Sequence, residues 1–75
     1  MNEKTTYYIQ LTNDDYFIFE TEEPVLVMYE RAVERNEPLL KLETPQLIET
    51  DDAKINAFVT IPVDSILYVL EEVKC

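Results

Sequence analysis

A chain of 75 residues with one cysteine and no histidine has no disulfide network and no histidine-ligated metal to hold it, so its fold rests on a thin apolar core, alone or joined to a second subunit. A domain of this size removes only about 60 to 65% of its unfolded surface from water. The hydrophobic fraction of 47% is ordinary for a globular chain, so a core of that modest kind is expected to form. Among the devices that reinforce small domains, subunit association is the one still open, and a homo-oligomer is the expectation. Glycine is absent as well, which leaves the turns to Asn, Asp, Ser and Pro and removes glycine-rich phosphate loops and dinucleotide fingerprints.

Period-two alternation dominates the beginning. In Thr5 to Thr12, Tyr7, Ile9 and Leu11 share one face while Tyr8, Gln10 and Thr12 share the other, the pattern of a strand. Asn13, Asp14 and Asp15 supply a turn, and Tyr16 to Glu20 reads as the returning strand of a hairpin with aromatic cross-strand pairs. Thr21 is suited to an N-cap, with Glu22 and Glu23 in a first turn where carboxylates meet the positive end of the helix dipole. Val25, Leu26, Met28, Tyr29, Ala32 and Val33 follow helical spacing, and Asn36 with Pro38 supplies the stop, which predicts a helix over Glu22 to Asn36.

Three further strands are expected: Leu39 to Glu43, Lys54 to Ile61, and Ile66 to Glu71 after a turn at Pro62 to Ser65. Ile55, Ala57, Val59 and Ile61 alternate along the second of these, and Gln46 to Thr50 has the character of an extended hairpin arm. The fold class is therefore α+β: one domain over residues 1–75, in the order ββαβββ, with one helix against an antiparallel sheet or a small curled barrel of about five strands.

The chemistry of the chain is sparse. Without histidine there is no histidine-dependent triad and no side chain of ordinary pKa poised near neutrality. Cys75 is the last residue, with nothing nearby in sequence to activate its thiol. The pairs Asp14-Asp15 and Asp51-Asp52 sit in turns and fall short of the oxygen ligands a calcium loop needs, and Ser65 follows Asp64 as a turn pair without a base. A non-catalytic protein without cofactor or metal is the expectation.

Sixteen acidic against six basic residues give a net charge of −10, which opposes direct binding to nucleic acid or anionic lipid. The start MNEKTTYYIQL has neither the basic segment nor the apolar run of a signal peptide, and a lone thiol suits a reducing compartment, so a cytoplasmic location is expected. Two surfaces stand out as candidate partner sites. On a helix beginning at Glu22, the side chains of Glu23, Glu30, Glu34 and Glu37 would form an acidic stripe flanked by Arg31 and Arg35. The aromatics of the first hairpin exceed what one helix can cover, which leaves Tyr8 and Tyr16 for a second subunit or another protein. The last strand, ILYVL, is apolar on both faces and so belongs in the centre of the sheet or in an interface.

The phrases YYIQL and YFIFE, the helix VLVMYERAVERN and the closing INAFVTIPVDSILYVLEEV together resemble small proteins of Gram-positive bacteria and their phages, over most of the chain. The closing strand, turn and ILYVLE are also similar to the paired final strands of Sm-like barrels, which would imply a curled sheet. Those relatives often carry glycine where this chain has Asn13-Asp14-Asp15 and Asp51-Asp52, and no set of Sm-like base-holding residues maps onto it. The expected function is a small acidic interaction module that contacts another protein and associates with itself. The alternative is an acidic nucleic-acid mimic that occupies a basic groove, and a third reading is an oligomeric small-ligand binder.

Overall fold

The first hairpin forms where the alternation places it. In the computed structural model, which describes residues 3–50 and 52–73, β1 spans Thr5–Leu11 and β2 spans Tyr16–Thr21, paired antiparallel from Thr5↔Thr21 to Gln10↔Tyr16. The turn between them uses Asp14 at φ 72°, a conformation in which Asp and Asn substitute for glycine, and the Asn13 side chain accepts a hydrogen bond from the Asp15 N–H at 3.1 Å. Tyr7, Ile9 and Phe19 are buried on the inner face of this hairpin.

The helix α1 spans Val25–Glu34, shorter than the expected Glu22 to Asn36. Thr21 is not its N-cap. It ends β2, is buried, and its hydroxyl accepts the Glu23 N–H at 3.2 Å in a tight turn. Pro24 is the cause: a residue before proline is driven out of the helical region, so Glu23 stays outside and Pro24 opens the helix, its carbonyl accepting the Met28 N–H at 2.9 Å. Val25 and Ala32 are buried and Leu26, Met28 and Tyr29 pack beside them, whereas Val33, counted with the apolar set by spacing, is 50% exposed.

Asn36 does stop the helix, at φ 55°, with its N–H on the Val33 carbonyl and the Glu37 N–H on the Ala32 carbonyl at 2.9 Å. This is the paired bonding of a Schellman end, which selects glycine or asparagine for its left-handed residue. Asn36→Ala should lower unfolding stability by about 1 kcal/mol in a urea titration, while Asn36→Gly should not.

Five short strands follow the helix: β3 (Leu39–Lys41), β4 (Gln46–Glu49), β5 (Lys54–Ala57), β6 (Thr60–Pro62) and β7 (Ile66–Glu71), with a single 3₁₀ turn at Val63–Ser65. The stretch Lys54 to Ile61 is thus two strands. Its first half pairs with β4 in the main sheet and its second half pairs with β3, and the chain crosses between them at Phe58 and Val59. Val59 and Ile61 are buried as the alternation implies, but Ile55 is 50% exposed on an edge strand.

The architecture is α+β. A five-stranded antiparallel sheet in the order β5-β4-β2-β1-β7 does not close, and β3-β6 forms a small second sheet. The core of Tyr7, Ile9, Phe19, Val25, Leu40, Leu42, Ile48, Val59, Ile61 and Ile66 joins the main sheet, the helix and the small sheet. All of this packing lies on one face of the main sheet. Among the described residues, no helix is long and apolar enough to cross a membrane.

Candidate functional site

The other face of the main sheet follows from the same alternation that built the core: with Tyr7, Ile9 and Phe19 turned inward, Tyr8, Gln10, Tyr16 and Ile18 turn outward. The β1–β7 register completes two cross-strand rows, Ile18–Tyr8–Leu70 and Tyr16–Gln10–Tyr68. None of these six side chains is charged. Tyr8 lies between two other rings, its centroid 5.3 Å from Tyr16 and 6.2 Å from Tyr68, with interplanar angles of 14° and 19°. These are diagonal cross-strand contacts, within reach of aromatic side chains across a sheet.

The polar atoms of the patch hold one another in place. The Tyr8 hydroxyl donates to Gln10 Oε1 at 2.6 Å, and Gln10 Nε2 donates to the Asp15 carbonyl at 3.1 Å and the Leu11 carbonyl at 3.3 Å. These bonds tie Tyr8, the central ring, to Gln10 and the hairpin turn. The Tyr8 ring has an aromatic neighbour on either side, and Ile18 and Leu70 lie beside it in the same row, a mixture of aromatic and aliphatic side chains that suits apolar protein packing. On β4, Leu47 is 62% exposed on the same face, between buried Gln46 and Ile48, while Glu49 makes an ion pair with Lys54 at 3.0 Å at the rim. Lys4, Thr6, Glu20, Leu47, Glu49 and Lys54 border a shallow hollow of about 480 Å³ there.

Tyr8 and Tyr16, singled out from the sequence, are thus brought together. Tyr68, Leu70, Ile18 and Leu47 belong to the same face and were not named as site residues. The one signal for Tyr68 and Leu70 was the two-sided apolar character of ILYVL. That strand lies at an edge of the sheet, paired only with β1, rather than in its centre.

The acidic stripe does not survive as four aligned side chains. Glu30 and Glu34 are exposed on α1, Glu37 lies past its end, and Glu23 precedes it. Glu23 is instead the anchor of the 43–46 turn: Oε1 accepts the Glu43 N–H at 2.8 Å, and Oε2 accepts the Thr44 hydroxyl at 2.7 Å, the Thr44 N–H at 3.2 Å and the Gln46 amide at 3.2 Å. Partial burial works against its charge, but these donors outweigh it and hold the carboxyl below its ordinary value. On β1, the Tyr7 hydroxyl donates to Glu71 Oε1 at 2.9 Å, and burial first, then Glu71, pushes the phenol above its usual range.

Cys75 and Asp51 lie outside the described residues; Asp52 and Asp64 are exposed. Among the described residues, no three His, Cys, Asp or Glu side chains come together to hold a metal ion. No family model, curated protein or solved structure matches the chain.

Proposed function

We propose that the protein is a non-catalytic interaction module whose open sheet face is its protein-binding surface. The observation that carries this reading is the uncharged patch of Tyr8, Tyr16, Ile18, Tyr68 and Leu70, set in a molecule of net charge −10. A contiguous apolar and aromatic patch with few charges at its centre is the composition of a protein interface core. The bonds that tie Tyr8 to Gln10 and the turn also lower the entropy lost when a partner docks. The acidic-mimic reading needs a longer rail of carboxylates than Glu30 and Glu34, because Glu23 is occupied by the turn it anchors.

A photo-crosslinking residue placed at position 68 in the cells that make the protein is expected to capture a polypeptide, while the same residue at position 34 is not. Equal capture at both positions, or capture at 34 alone, would move the binding surface to the helix and sink the reading.

A further inference from the structure

We infer that the occupant of the open sheet face is a second copy of this chain, packed sheet on sheet about a two-fold axis; this rests on the reading of that face as a protein-binding surface. Area is the first argument. The accessible surface is 5519 Å², whereas a folded monomer of 8.8 kDa exposes about 4,800 Å². The surplus of roughly 700 Å² is spread over the whole molecule, with Val27, Val33 and Leu39 exposed elsewhere, and the open sheet face supplies part of it. Five strands about 4.8 Å apart, four to seven residues long, present on the order of 430 Å² of flat face, so two copies bury about 860 Å² in all. That sum lies a little below the roughly 1,000 Å² of a stable specific interface, which makes the dimer a weak one that forms at high concentration.

Charge is the second argument. Any approach of two copies brings together two bodies of charge −10, and the repulsion is least where each presents neutral side chains. The central rows Ile18–Tyr8–Leu70 and Tyr16–Gln10–Tyr68 are such a surface. At the rim Lys54 balances Glu49, and Lys4 borders the same hollow as Glu20. Two such sheets pack about 10 Å apart, with their side chains interdigitated, as in a β-sandwich. An isologous contact of this kind closes on itself and stops at a dimer.

The test is sedimentation equilibrium of the full chain, from about 1 μM to about 1 mM, in about 0.05 M and about 0.5 M salt. The expected result is a monomer–dimer equilibrium that tightens at the higher salt, as screening relieves repulsion between the two acidic bodies. Leu70→Lys and Leu47→Lys should each weaken it at least about tenfold, because each places an unpaired charge in the contact. Val27→Lys, on the exposed side of the helix, should leave it unchanged. Leu70 and Leu47 are 54% and 62% exposed in the single chain, so both variants should retain the wild-type circular dichroism spectrum and thermal midpoint.

An effect of Leu70→Lys without one from Leu47→Lys would mean pairing along the β7 edge, and would overturn the sheet-on-sheet contact. A loss on Val27→Lys, or a mass above that of a dimer, would overturn it equally. A monomer under every condition would overturn the second copy as occupant. Crosslinking from position 68 to a different polypeptide would then still uphold the reading of the face as a protein-binding surface.

Discussion

Ile9→Ala should lower the stability of the protein by about 3 to 4 kcal/mol, a large share of the whole. Ile9 is fully buried on β1, between β2 and β7 and beneath the helix layer. Truncating such a side chain removes three carbons from the core and leaves a cavity that a sheet pinned on both sides cannot close, and losses of about 2 to 5 kcal/mol follow. A domain of 75 residues has a total stability of about 4 to 11 kcal/mol. The same chemical change at Leu47, which is 62% exposed, should cost less than about 1 kcal/mol in the monomer. Urea denaturation followed by circular dichroism checks both, and a loss below about 1 kcal/mol at Ile9 would show that β1 is not the centre of the core.

Glu23→Ala should cost about 1 to 2 kcal/mol at pH 7, since the Glu43 and Thr44 amides and the Gln46 side chain lose a charged acceptor but can turn to water. The pH dependence has a definite sign. The folded carboxyl titrates below its ordinary value of 4.5, so its contribution is complete above that value and disappears as the pH falls through the lower, folded value. The other carboxylates work in the opposite direction, because protonating them relieves the repulsion of a chain of net charge −10. The difference in stability between the wild type and Glu23→Gln isolates the one effect from the other. It should be constant above the ordinary carboxylate value and shrink as the pH falls through the lower, folded one. A difference that grows on acidification would contradict the hydrogen-bonded carboxylate.

Much of the fold was legible because its signals are local. Alternation in Thr5 to Thr12 and Tyr16 to Glu20 marks the hairpin to within one residue at each strand's end, and the limits of Ile66–Glu71 agree with the expected strand. Asn36 stopped the helix by the chemistry attributed to it. The helix starts later than the capping pattern at Thr21 predicts, because Pro24 restricts the conformation of Glu23. Lys54 to Ile61 reads as one strand because alternation continues through it, and only the two competing partners, β4 and β3, divide it.

The candidate site was half legible for a related reason. Tyr8 and Tyr16 meet through a hairpin whose register can be read from adjacent residues, whereas Tyr68 reaches them through a pairing between opposite ends of the chain. Glu23 illustrates the converse. Its place in a helical projection suggested a free charge on a surface, but its partners lie 20 to 23 residues away, on a turn that no local pattern announces.

The pairing of β1 with both β2 and β7 also has a kinetic side. The hairpin closes a loop of a few residues and can form within about 1 to 10 μs, whereas Tyr7 and Glu71, 64 residues apart, must find each other across nearly the whole chain. Loop-closure entropy rises only as the logarithm of length, but it falls due before the β1–β7 contacts return anything. Until β7 docks, one side of β1 is an open edge with Tyr8 and Ile9 beside it. The β1–β7 pairing is therefore the most non-local contact in the sheet, and once it forms β7 replaces β1 as the strand at that edge.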